Sequence, residues 1–337
     1  MTDLTSSGTQ KLNRRGFLKI VAAAGLTVGL GAAAGRRWLE AQAASAVQET
    51  RLLMGTVVNL TVFAEDPQKG QAAVQATFEE MGRLIQILDH RRQTAALGQL
   101  NSQGFVEHAP AELVEVVKKA LEIGALTDGA FDITVKPVLD AYAAGLSVTS
   151  QMHRLVDYRQ VLVRENSIRL SQPGIAITLD GLAKGRVVDG GVAVLRRLGF
   201  ENVLVEAGGD LLAQGTRSDG SPWEVGILSP RSRTQPGTLA TFPVERQAVA
   251  TSGDYLNSFT ADFSLNHIID PRSLSSPREL ASATVIAPTV MEADALSTAL
   301  MVLGSQAALA LVERLPQVEA MLVDKEMKIF RSAGFPR

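Results

Sequence analysis

The 337-residue chain contains no cysteine. That removes disulfides, thiolate zinc sites, iron–sulfur clusters, thiol nucleophiles and lipid attachment to an N-terminal cysteine. Histidine is nearly as scarce. His90, His108, His153 and His267 are widely scattered, and no two have the three- or four-residue spacing by which one helix offers two imidazoles to a metal. Any metal is therefore expected to be a hard ion held by oxygen. The chain also lacks a GxxxxGK[ST] phosphate loop, a GxGxxG fingerprint, a GxSxG elbow and an HExxH helix, which removes the common nucleotide and hydrolase readings. Nor is there an excess of positive charge. With 33 Lys+Arg against 35 Asp+Glu, the net charge of -2 argues against nucleic acid as a partner.

The first segment reads as an address. Asn13-Arg14-Arg15-Gly16-Phe17-Leu18-Lys19 precedes an uncharged, Ala/Gly-diluted run from Ile20 to Ala34, and Arg36-Arg37 follow. The run is shorter than the ~20 residues needed to cross a bilayer. Paired arginines ahead of it indicate a twin-arginine export signal over residues 1–43, with Ala41 and Ala43 as the small residues before cleavage. An uncleaved anchor or a buried Ala/Gly helix is the plainer alternative. The expected location is the periplasm. The mature chain then has 27 Lys/Arg against 33 Asp/Glu, a charge of -6, and no expected integral membrane segment.

Residues 44–337 show no repeat, low-complexity tract or charged linker, so a single catalytic domain is expected. Apolar spacing predicts a strand pair or long strand over 50–63, helices over 71–88 and 111–126, strands at 168–177 and 202–206, and a helix over 184–198 between them. A strand-rich stretch covers 222–249. A strand at 283–287 leads into helices at 292–303 and 305–315, and 320–323 closes the series. Strands and helices without regular alternation indicate an α+β fold.

Short polar turns end many of these apolar runs. They are Met54-Gly55-Thr56, Gly129-Ala130-Phe131-Asp132, the stretch from Thr178 to Gly185, Glu206-Ala207-Gly208-Gly209-Asp210, Thr251-Ser252-Gly253-Asp254-Tyr255, His267-Ile268-Ile269-Asp270-Pro271 and the stretch from Glu292 to Thr298. Glycine lets the backbone approach a ligand, and neighbouring N–H groups and hydroxyls can cradle phosphate oxygens. Each turn alone is equally ordinary hairpin chemistry. Asp294 and Thr298 are more pointed. At four-residue spacing on a predicted helix, carboxylate and hydroxyl leave the same face and offer two oxygens to a cation such as Mg2+. The bland alternative is a helix-dipole charge and a hydroxyl bonded to the preceding turn.

In their order along residues 50–335, MGT, GAFDITVKP, LDGLAKGRVVD, VLVEAGGDLLAQG, VATSGDY, HIIDPRS and VIAPTVMEADALSTALMVLG resemble the ApbE family of FAD:protein FMN transferases. The resemblance implies the ApbE-type α+β domain and a reaction in which FAD, with Mg2+, gives FMN to a Thr or Ser hydroxyl of a target protein and releases AMP. It implies Gly181 (through its carbonyl), Asp294 and Thr298 as metal ligands, and FAD contacts at Met54, Ala130, Phe131, Asp132, Thr178, Asp180, Lys184 and Ile268. His267 is the candidate for accepting the acceptor's proton.

Two departures stand out. Many relatives carry Asp six residues before the lysine, where this chain has Thr178 and brings its carboxylate at Asp180 instead. An aromatic usual near the adenine is replaced by Asp89-His90-Arg91-Arg92, where Arg91 could stack on a purine. A Mg2+-dependent FAD pyrophosphatase and a non-catalytic envelope flavin-binding module are the alternatives on the same scaffold. The resemblance implies acceptors among membrane redox proteins of NosR, Nqr or Rnf type. With its export signal the layout is similar to that of exported relatives called NosX.

Overall fold

In the computed structural model, which describes residues 45–231 and 237–336, the chain enters its main sheet through a hairpin. Strands β1 (Ser45–Leu53) and β2 (Thr56–Ala64) are joined by Met54 and Gly55, with φ of 52° and 74°. Positive φ at both turn residues matches the twist of the flanking strands. The predicted export signal at 1–43 lies outside the described residues.

The sheet has eight strands, each antiparallel to its neighbours, in the order β1-β2-β6-β7-β10-β11-β12-β13. The remaining members are β6 (Val203–Ala207), β7 (Asp210–Gln214), β10 (Gln247–Gly253), β11 (Leu280–Ala287), β12 (Glu319–Asp324) and β13 (Ile329–Arg331). A separate hairpin of β8 (Trp223–Leu228) and β9 (Thr238–Val244) covers one face. A small sheet of β3 (Phe105–Val106), β4 (Val161–Arg164) and β5 (Ser167–Leu170) stands apart from it.

Both faces of the central strands β11 and β12 are buried, so neither shows the apolar–polar alternation of a half-exposed strand. Along β10 to β12, Ala248, Ala250, Ala283, Val285, Ala287, Ala320 and Leu322 turn to the helices, while Val249, Ile286, Met321 and Val323 meet Trp223, Val225 and Phe242 of the hairpin. The alternation is the period-2 geometry of the pleat. Its helix-facing side is rich in alanine, which gives the helix above it a shallow bed.

The helices at 67–88, 183–197 and 290–312 pack on the sheet and form that layer. In α1 (Pro67–Leu88), Asp66 accepts from the Gln68 and Lys69 amides and Pro67 opens the first turn, a strong N-terminal signal. Residues Val74, Phe78, Met81 and Leu84 carry its buried face. The shorter α2 (Ala96–Gln103), α3 (Ala111–Leu126) and α4 (Lys136–Ala143) follow, and α5 (Ala183–Arg197) returns against α1.

Helix α6 (Val290–Val312) is long and apolar enough to cross a membrane by length and composition alone, yet it packs on β10, β11 and α5. It breaks at Gly304 (φ 77°, ψ 170°), where Glu279 Oε1 accepts the Ser305 amide at 2.9 Å and its hydroxyl at 2.5 Å. The break is where the sequence predicts two consecutive helices.

The predicted strand at 168–177 is shorter than expected. Only Ser167–Leu170 pairs, because Pro173 and Gly174 (φ 89°) turn the chain away. Asn101 then holds the backbone of Ile177, donating to its carbonyl at 2.8 Å and accepting its amide at 2.7 Å.

Candidate active site

The strand registers bring the polar turns to one end of the sheet. Val58 pairs with Ala207, which lays the Met54-Gly55 turn beside Gly208, whose amide donates to the Val57 carbonyl at 3.1 Å. Ala207 pairs with Asp210 across the Gly208-Gly209 turn, and Leu211 pairs with Val249, so the end of β10 with Thr251, Ser252 and Gly253 arrives at the same edge. Glu206 fixes this edge by accepting the Gly209 amide at 2.5 Å and the Asn59 side-chain amide at 2.6 Å.

Onto this edge the N-termini of α5 and α6 converge. Four orphan amides at the start of an α-helix need partners. For α6, Thr289 Oγ1 accepts from Glu292, while Asp189 reaches across from α5 and accepts the Val290 and Met291 amides at 2.9 Å each. Burial pushes the Asp189 carboxyl up to about 6, against the pull of those amides. One turn into α6 stands Asp294, 5% exposed. Its Oδ2 accepts the Gly185 amide at 3.1 Å, and its Oδ1 lies 4.0 Å from Lys184 Nζ. Burial raises the Asp294 pKa, and Lys184 opposes the shift.

Lys184 sits in the first turn of α5, where a cation is disfavoured by the helix dipole. The compensation is Asp210, 1% exposed, which forms an ion pair with the ammonium and takes the Thr251 amide on its other oxygen at 3.2 Å. A buried charge requires such a partner.

Thr298 lies one turn beyond Asp294 on the same face. A Cβ on Gly181 would stand 3.3 Å from Thr298 Oγ1 and 3.1 Å from the Phe131 ring edge. The loop backbone at 181 therefore abuts the hydroxyl, with Phe131 as its floor. The Asp294 carboxylate, the Thr298 hydroxyl and a backbone carbonyl are the oxygen donors that a hard cation takes. Among the described residues no group of three or more His, Asp or Glu offers a carboxylate- or imidazole-rich alternative.

His267 lies within electrostatic reach of Asp180 and Lys184. Its Nδ1 lies 3.3 Å from the Asn257 carbonyl, which can only accept, so Nδ1 carries the proton and Nε2 is left basic. Burial lowers its pKa; the charges of Asp180 and Lys184 act on it in opposite senses. Asp180 is exposed at the rim, with His90 at 3.5 Å and Arg91 at 3.6 Å. Arg91 is thus engaged with the carboxylate that the sequence carries in an unusual position.

Other candidates from the sequence lie nearby in different roles. Asp132 is buried, and its oxygens accept the Thr134 amide and hydroxyl and, from 26 residues on, the Tyr158 amide, so its side chain ties two segments together. Burial raises its pKa. Ala130, Phe131 and Ile268 belong to the main core, and Met54 packs against it. Thr178 accepts the Asp180 amide at 3.2 Å and thereby shapes the 178–181 turn. Asp254 is fully buried under Arg231, which pairs with both its oxygens at 2.7 and 2.8 Å. Sequence reading gave no role to Asp189 or Gly185. Their only linear signal is position within LDGLAKGRVVD, since what each touches lies more than 100 residues away.

The sequence model of the ApbE family matches residues 54–322. An FAD:protein FMN transferase of Vibrio cholerae is 29% identical over 304 residues, covering 84% of this chain and 89% of the relative. The enzyme of the same name from Escherichia coli K12 is 28% identical over 303 residues, covering 84% and 86%. Among solved structures, the ApbE protein of Thermotoga maritima superposes with a TM-score of 0.77 at 28% identity, covering 86% of this chain and 97% of that one. The flavin transferase ApbE of Vibrio cholerae gives 0.74 at 25% identity, covering 87% and 98%. A family match across most of the chain and the same α+β architecture agree with the convergence of Asp294, Thr298, Lys184 and Gly181, and this protein belongs to the ApbE family.

Proposed function

We propose that this protein is a Mg2+-dependent FAD:protein FMN transferase acting outside the cytoplasmic membrane after twin-arginine export. The observation that carries the reading is the juxtaposition of Asp294, Thr298 and the Gly181 backbone beside the Lys184 ammonium. Such a cluster suits a pyrophosphate whose central bond must be broken.

Asp294, Thr298 and the Gly181 carbonyl would hold the cation, which when bound supplies a Lewis acid for the phosphate oxygens. Lys184, oriented by Asp210, adds a compact positive charge for the same oxygens. Gly209 has open space where a side chain would stand, so a dinucleotide can lie close to the backbone there. His267, neutral because burial lowers its pKa, takes the proton of the acceptor hydroxyl at Nε2. The hydroxyl oxygen bonds to the FMN phosphorus, the bond from that phosphorus to the bridging oxygen breaks, and AMP leaves with the bond's electrons.

The acceptor is a Thr or Ser in a membrane redox subunit of NosR, Nqr or Rnf type. Incubation with FAD, Mg2+ and such an acceptor should yield a fluorescent band that survives denaturation and adds the mass of FMN to the acceptor. Release of free FMN without a labelled band would indicate hydrolysis instead. Secretion of a reporter fused to residues 1–43, abolished by replacing Arg14 and Arg15 with Lys, tests the export route.

A further inference from the structure

Three hydroxyls lie in series behind the proposed cation site. Ser297 Oγ donates to the Asp294 carbonyl at 2.9 Å; Ser252 Oγ lies 2.8 Å from Ser297 Oγ and 3.0 Å from Thr298 Oγ1. Ser297 is fully buried, Ser252 is 7% exposed, and Thr298 is partly open. Ser252 comes from β10, more than 40 residues away from α6 in sequence.

Each hydroxyl has one proton, and the direction of the series follows from its last member. A carbonyl only accepts, so the Ser297 proton is committed to Asp294 and its oxygen is left as an acceptor. Ser252 then donates to Ser297, which leaves the Ser252 oxygen to accept from Thr298. The Thr298 proton is thereby drawn back into the protein, and its lone pairs face the Gly181 side. A hydroxyl that pointed its proton at a cation would repel it.

We propose that Ser252 and Ser297 are positioning residues that set the Thr298 hydroxyl as an electron-pair donor, so that the order Thr298→Ser252→Ser297→Asp294 carbonyl raises the affinity of the site for a divalent cation. This rests on the cation-site reading above and adds residues that touch neither cation nor flavin. Buried hydroxyl networks of this kind act as a unit when every member is satisfied. Support from outside the ligand set typically changes metal affinity by about 10- to 100-fold.

The test is a Mn2+ titration of the FAD-bound protein, following the free-ion signal by electron paramagnetic resonance, alongside thermal melts in chelator. Ser252→Ala and Ser297→Ala are each expected to weaken Mn2+ binding about tenfold while melting near the wild type in chelator. The double variant should bind no more weakly than Ser252→Ala, because one series is interrupted only once. Asp294→Ala serves as the separate control. If it binds Mn2+ like the wild type, the cation site itself is misassigned. If it loses binding while both serine variants bind normally, the site stands and the hydroxyl series is overturned. Strictly additive losses from the two serines would also overturn it. Should Ser252→Ala fold poorly, Ser297→Ala alone decides, since it only trims a hydroxyl on the buried face of a helix.

Discussion

The Gly185 amide donates to Asp294 Oδ2 at 3.1 Å, joining the first turn of α5 to α6 one turn from its start. The contact exists because residue 185 has no side chain: a Cβ there would lie 2.5 Å from the Val290 carbonyl carbon and oxygen. Two helix N-termini with their carboxylates and lysine are thus brought to backbone contact.

Gly185→Ala should push α6 away from α5. Overpacking of this kind costs about 1–3 kcal/mol, and the displaced element carries Asp294. The expected result is a lower urea midpoint together with a rise in the Mg2+ concentration needed for half-maximal transfer. A normal metal requirement in a destabilised protein would separate packing from site geometry.

Asp189 makes stability depend on pH in an unusual direction. Its carboxyl, ordinarily at 3.8, titrates at about 6 in the fold because burial disfavours the charge. Between those values the native state keeps a proton that the unfolded chain releases. Its contribution is therefore fully present below about pH 4 and is lost as pH rises through about 6, an effect on the order of 3 kcal/mol. The unfolding free energy of wild type minus that of Asp189→Asn should fall from pH 4 to pH 7. Urea titrations at unit pH steps measure it, and a difference that grows with pH contradicts the assignment.

Removing the Asp294 carboxylate takes away the charged member of the proposed cation site. Asp294→Ala should reduce transfer by at least about 10²-fold, and chelator should do the same to the wild type, reversibly on adding Mg2+. Because burial raises the Asp294 pKa, protons compete with the cation. The apparent Mg2+ requirement should therefore rise as pH falls, as rate measurements across a Mg2+ series at several pH values will register.

Asp254 and Arg231 form a structural lock. Asp254 is fully buried, and Lys325 also approaches it at 3.7 Å. Asp254→Asn leaves the Arg231 guanidinium without its counter-charge, a loss of about 3 kcal/mol. Thermal melting should show it. Arg231→Met in the same background should recover part of the loss, since the stranded charge is then gone.

Much of the secondary structure was legible because the signals are local. The helix over 111–126 coincides with α3, and the predicted division between 303 and 305 coincides with the Gly304 break. Eight-residue helices such as α2 and α4 have too few turns to stand out by periodicity. The site was half legible. Asp294 and Thr298 share a face by helical repeat alone, whereas the bonds by which Asp132 fastens Thr134 and Tyr158 are not visible in the sequence, because Tyr158 lies 26 residues on.

Composition and spacing determined that a metal here would meet oxygen and not sulfur or paired imidazoles, and that one carboxylate and one hydroxyl would stand a turn apart. Those properties depend on residue type and on the helix repeat, which operate within a few residues. Only the tertiary structure decided that Lys184 is neutralised by Asp210, that Asp189 caps a helix 101 residues ahead, and that Ser252 stands behind Thr298. Each of these contacts depends on strand register and helix crossing, which arise from packing the whole chain at once.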